Sequence, residues 1–157
     1  MRLVEMNAFG IDIDERAVCI FRESVSKRDA LNRLVDAVAE VGQVSDCEAF
    51  RTAIYEREAV QSTGIGGGVA IPHVRIDQVL EPTLGIGVCR DGIDFGSLDN
   101  EPVHVIVLFA MSSGAHKRYL RLLAQAMIAL RNTKLRERLT ECNSPEEVNA
   151  VLNACCV

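Results

Sequence analysis

The sequence predicts an α/β sandwich of three layers, with a sheet between helices on both of its faces. Two observations carry this. Val103–Ala110 is a nearly continuous apolar run, the pattern of a strand buried on both sides at the centre of a sheet. Around it, strand-like segments alternate with amphipathic helical stripes, as in layered α/β folds. A chain of 157 residues is long enough for one good core, and positions 1–157 read as a single domain.

Taken in order, roughly the first 25 residues show weak periodicity, in which Ala17–Phe21 reads as a short strand. Ser26 then caps a helix whose stripe is Leu31, Leu34, Val35 and Val38, with Gly42 as its stop. Ser45-x-x-Glu48 has the form of a capping box for a second helix. Its stripe is Cys47, Phe50, Ala53 and Ile54, and Arg57 sets a permanent cation where that stripe ends. Val69–Ile71 and Thr83–Cys89 read as strands, the latter followed by a turn at Arg90–Gly92. Beyond Val103–Ala110, Ser112–Gly114 breaks the pattern. Ala115–Asn132 is then a long helix with the stripe His116, Leu120, Leu123, Met127 and Leu130. His116 and Tyr119 lie in its first turn, facing the sheet. Thr133–Thr140 and Ser144–Asn153 close the chain as helices, the second entered through Ser-Pro-Glu-Glu.

Composition narrows the function. A net charge of −5 argues against nucleic-acid binding, which usually shows as a basic patch. The basic clusters Lys117–Arg121 and Arg131–Arg138 fall in helical patterns and read as solvated faces. The N-terminus has acids where a secretory leader needs apolar residues, and Val103–Met111 is half a membrane span. A soluble, cytoplasmic protein without direct membrane insertion is expected. The six cysteines form no CxxC pair and no zinc spacing, so they read as small buried hydrophobes plus a reduced pair at Cys155–Cys156.

The segment that asks for a function is Thr63–His73, "TGIGGGVAIPH". Glycines at Gly64, Gly66, Gly67 and Gly68 permit positive φ and let backbone N–H groups converge. Taken alone, the run is either a surface turn or an anion cradle. It is not a P-loop, because no Gly-Lys-Ser/Thr follows, and Pro72 forbids the helix a dinucleotide fingerprint needs. Pro72 stiffens the chain as it delivers His73. A neutral imidazole has one unprotonated nitrogen, which is a nucleophile. Phosphoryl transfer asks for such a nucleophile and for positive groups around the equatorial oxygens. Arg57 and the start of the Ala115 helix are the available sources.

These residues resemble a known family. "REAVQSTGIGGGVAIPHVRI" (Arg57–Ile76) is similar to the signature of EIIA domains of the fructose/mannitol class in the phosphoenolpyruvate-dependent phosphotransferase system, which include nitrogen-regulatory EIIA proteins. "GIDFGSLDNEPVHVIVLFAM" (Gly92–Met111) and the helix "YLRLLAQAMIALR" extend the match over roughly residues 25–152. The resemblance implies a mixed sheet of five strands. It implies that His73 accepts a phosphoryl group from phospho-HPr, or a nitrogen-branch equivalent, and passes it to an EIIB domain or uses it to regulate a partner. The wording "Arg57-Glu58 … Ser62-Thr63-Gly64" is nearest the nitrogen-regulatory branch. Arg57, His116 and Tyr119 join His73 as catalytic candidates, and Thr63, Gly64, Gly66 and Gly67 as the phosphate cradle. No cofactor and no metal is implied, and a homodimer is among the states allowed. One position departs: where the family often carries a second active-site histidine, this chain has Tyr119. His116, one turn earlier, is either its substitute or a surface residue. The departure also keeps open a binding module with the same fold and no onward transfer. His104, beside the apolar run, reads as structural.

Overall fold

The apolar run folds as the central strand of a mixed sheet. The computed structural model describes residues 7–154, so Cys155 and Cys156 lie outside the described residues. The strands are β1 (Val18–Phe21), β2 (Gly64–Gly66), β3 (Val69–Ala70), β4 (His73–Arg75), β5 (Thr83–Ile93) and β6 (Val103–Met111). The order is β1-β5-β6-β3-β2, with β4 also paired to β6. β1 runs parallel to β5, β5 antiparallel to β6, and both β3 and β4 parallel to β6. Val69 pairs with Val105 and His73 with Phe109, so β3 and β4 keep one register along β6. They are one strand interrupted at Ile71–Pro72, and the sheet is five strands wide.

Alternation along β6 makes two cores. Val105, Val107, Phe109 and Met111 meet Leu122 and Ala126 of α3 (His116–Ala129), Leu135 and Leu139 of α4 (Thr133–Thr140), and Val148 and Leu152 of α5 (Pro145–Ala154). Ile106, Leu108 and Ala110 meet α1 (Lys27–Val41) and α2 (Cys47–Val60) through Leu31, Leu34, Val38, Phe50 and Ile54. Helices therefore cover both faces. Among the described residues no helix is long and apolar enough to cross a membrane. Cys89 and Cys142 are buried, and burial pushes their thiols up, as it does that of Cys19.

Several local expectations change. Asp46, not Ser45, caps α2, accepting from the Ala49 N–H at 3.0 Å. The Ser45 N–H and hydroxyl are both spent on the Gln78 carbonyl. Arg90–Gly92 is not a turn between elements. β5 runs on through it to Ile93, with the register shifted between Val88 and Ile93 and Gly92 at φ +83°. The long helix stops at Ala129 rather than Asn132, because Asn132 caps the next helix by accepting from the Leu135 N–H. Its buried side is Leu122 and Ala126, whereas Leu120, Met127 and Ile128 are exposed. Apolar residues extend beyond the buried side, as these three show, so periodicity alone admits more than one stripe.

Candidate active site around His73

β2 pairs with β3 only as far as Ala70, so the β3/β4 strand loses its outer neighbour where Pro72 and His73 follow. A proline, which has no N–H to give a ladder, fits such an edge. Val69, Ile71, His73 and Arg75 share one face by alternation. The first two are buried beneath α3–α5, His73 is half-buried, and Arg75 is exposed. Val74 turns the other way into the α1–α2 core. His73 thus emerges at the C-terminal end of a parallel strand, the usual ligand side of an open α/β sheet. α3 begins just past the same end of β6, without a side-chain cap, so its first N–H groups are left for solvent or a ligand.

The imidazole is fixed by one bond. Its Nδ1 lies 2.7 Å from the Ile71 carbonyl oxygen. A carbonyl only accepts, so Nδ1 carries a proton, and in the neutral ring Nε2 holds the lone pair. Among the described residues Nε2 makes no hydrogen bond. The Tyr119 ring lies 6.0 Å from the His73 ring, tilted by 46°. The Arg75 guanidinium carbon stands 5.7 Å from the Tyr119 ring centre. Arg75 Nη1 donates to Nδ1 of His116. Burial pushes the Tyr119 phenol up, and the positive charges of Arg75 and Arg57 pull it partly back. Tyr119 is therefore a protonated hydroxyl at neutral pH, able to donate. Arg57, in the last turn of α2, donates to the Gln61 carbonyl at 2.8 Å and is half-buried.

Of the four catalytic candidates, the structure brings His73 and Tyr119 into ring contact and sets Arg57 within electrostatic reach of Tyr119. His116 does not face the sheet as expected. It is exposed and serves as an acceptor for Arg75. Arg75 is a residue that sequence reasoning missed. The i, i+2 rule from His73 puts it on the same face, and that was the available signal.

The expected glycine cradle is not at His73. Gly66 pairs with Val69, and Gly67–Gly68 turn the β2–β3 hairpin with φ of +67° and +81°. Both values are those of a primed hairpin turn. Val69 sits opposite Val105 while His73 sits opposite Phe109, so the hairpin tip is at least ~13 Å away along the strand. The Gly67 N–H is already engaged, donating to Asp99 Oδ2 at 3.0 Å. N–H groups of Glu101 and then Gly67 hold the Asp99 carboxyl below the usual carboxylate range. Gly64 donates to Ser62 Oγ, and a Cβ there would lie 2.2 Å from Ser97 Oγ, so close packing explains this glycine. Thr63 is buried, and both its N–H and its hydroxyl donate to Glu58. Thr63, Gly64 and Gly67 thus spend their N–H groups away from the imidazole.

The family profile described as "Phosphoenolpyruvate-dependent sugar phosphotransferase system, EIIA 2" matches residues 13–155. A fructose-specific EIIABC component of Bacillus subtilis is 33% identical over 131 residues, which are 83% of this chain and 21% of that protein. The chain therefore spans about a fifth of that relative's length. A fructose-specific EIIA component of Haloferax volcanii is 32% identical over 81% of this chain and 82% of its own. The crystal structure of the nitrogen regulatory protein IIA-Ntr from Neisseria meningitidis superposes with a TM-score of 0.81 at 26% identity. The match covers 89% of this chain and 95% of that one.

Proposed function

The chain belongs to the EIIA type-2 family of the phosphoenolpyruvate-dependent sugar phosphotransferase system, and on that premise we propose that it is a phosphocarrier acting through Nε2 of His73. The donor is a phosphohistidine of the HPr type. The Nε2 lone pair attacks phosphorus in line, the donor's P–N bond breaks, and the departing ring keeps that electron pair. The His73 ring takes up positive charge as the new N–P bond forms. The Ile71 carbonyl, accepting from Nδ1–H, stabilises that charge. Arg75, Arg57 and the Tyr119 hydroxyl, together with the open N-terminus of α3, face the three equatorial oxygens. Reversal of the same step onto an EIIB domain discharges the protein. The Bacillus relative, named for A, B and C components, motivates that choice of acceptor.

The observation that carries this reading is the bond from Nδ1 to Ile71, which leaves the outward nitrogen unprotonated beside Arg75 and Tyr119. The relatives fall in both branches, fructose-specific and nitrogen-regulatory, so the motif wording that favoured regulation stands alone. On this reading the protein works in the cytoplasm with its donor. Incubation with phosphoenolpyruvate, the general enzyme of the system and HPr is the test. Intact mass should rise by one phosphoryl group, and His73→Ala should take up none. A wild type of unchanged mass would replace the carrier with a binding module of the same fold.

A further inference from the structure

The bond to Ile71 sets the imidazole, so whatever holds Ile71 sets the nucleophile. Ile71 lies between β3 and β4, just beyond the last β2–β3 residue pair. Its N–H is held by the Thr63 carbonyl at 2.9 Å. Thr63 is 3% exposed, and its two donors converge on one side chain, Glu58. The Thr63 N–H lies 3.2 Å from each Glu58 oxygen, and the hydroxyl donates to Oε1. Glu58 is in the last turn of α2, directly after Arg57, and its side chain is only 5% exposed. Lys27, the first residue of α1, pairs with it at 2.8 Å. The same ammonium donates to the Phe95 carbonyl at 3.0 Å and lies 4.4 Å over the Phe95 ring. Ser62 donates to that carbonyl as well.

An ion pair whose carboxylate is buried is a poor source of stability, since desolvation offsets much of the attraction. It does fix geometry, because every group left unpaired would carry a large penalty. This pair uses its remaining acceptor capacity on one threonine, and that threonine holds the peptide that orients the imidazole. From this continuous set of contacts we infer that Glu58 is a positioning residue for phosphoryl transfer: it locks Thr63, and through Thr63 and Ile71 it keeps the His73 proton on Nδ1 and Nε2 free. The inference rests on His73 Nε2 being the acceptor. It assigns Thr63 a positioning role in place of phosphate binding.

The ring tautomer is measurable without any partner protein. Ring 15N shifts of the three histidines, assigned with His73→Ala, report which nitrogen carries the proton. In the wild type, the His73 signals should be those of the Nδ1–H form. In Glu58→Ala they should move toward a mixture with the Nε2–H form, and the rate of phosphorylation by phospho-HPr should fall roughly 10-fold or more, as expected when a reacting group is misplaced. Glu58→Gln keeps an acceptor for Thr63 and should recover most of the wild-type spectrum and rate. Thr63→Val removes only the hydroxyl and should shift the ring signals in the same direction by less. It also serves if Glu58→Ala fails to fold. Wild-type ring shifts in folded Glu58→Ala, or in Thr63→Val, would overturn the inference. A wild type that takes up no phosphoryl group sinks the carrier reading of the preceding subsection, while the ring shifts still decide the tautomer lock.

Discussion

Two histidines mark the two ends of the ribbon formed by β6 and the β3/β4 strand, and they are held alike. His73 Nδ1 donates to the Ile71 carbonyl at 2.7 Å, and His104 Nδ1 is 2.9 Å from the Cys89 carbonyl. Both rings are half-buried. Their surroundings differ. His104 lies against the glycine turn, beside a cavity of about 360 Å³ also lined by Gly67, Gly68, Arg136, Glu137 and Glu141. There carboxylates stand beside the cation: Glu137 and Glu141 line the cavity with Arg136, and Asp99 takes the Gly67 N–H. At the His73 end, Arg57, Arg75, Tyr119 and an uncapped helix start stand together with no carboxylate among their hydrogen-bond partners. A fixed tautomer is thus not enough to make a phosphate acceptor. The ring needs neighbouring positive charge that no carboxylate already offsets.

The largest effect should separate the two rings outright. His73→Ala should lose all phosphoryl uptake, and His104→Gln, which keeps a donor for Cys89, should retain it. Uptake by His73→Ala, read by intact mass, would break the comparison. Next come the cations. Arg75→Ala should slow phosphorylation by about 100-fold, the scale for removing one preorganised donor to a developing anion. Arg57→Ala, whose group is tied to its own helix end, should slow it less. Equal rates for Arg75→Ala and wild type in quench-flow would remove Arg75 from the site.

Stability sharpens the comparison from the other end. Gly67→Ala forces a side chain into positive φ and should lower stability by about 1–2 kcal/mol in chemical denaturation, with the phosphorylation rate unchanged. A rate loss matching that of Arg75→Ala would return the glycine turn to the active site. The smallest effect is spectroscopic. Burial raises the folded value of both Tyr55 and Tyr119, so each phenol stays neutral past its ordinary value. Stability from this source is full below the unfolded phenol value and is lost as pH rises through the folded one. Phenolate absorbance should therefore appear late on alkaline titration for both tyrosines. An ordinary titration lost in Tyr119→Phe would show that ring to be more open than described.

Much of this could be read from the residues, for local reasons. Ser26 does cap α1, accepting from the Asp29 N–H, and the apolar run does form the central strand. The nucleophile candidate was marked by Pro72 and His73 themselves. The direction of the glycine segment was not legible. Glycine spacing says that a backbone is free to turn, and only long-range pairing of Val69 with Val105 says where the turn points. Arg75 was hidden because an arginine on an edge strand resembles an ordinary solvated charge. Glu58 was hidden for the opposite reason. A glutamate near a helix end reads as surface, and its burial depends on Lys27, which is distant in sequence.

The most direct measurement is the site of the phosphoryl group on the charged protein. Long-range 1H–15N spectra of the phosphorylated chain, with the 31P coupling resolved, identify the nitrogen bonded to phosphorus. Phosphorus is expected on Nε2 of His73, with the proton still on Nδ1. Phosphorus on Nδ1, or on His104 or His116, would contradict it.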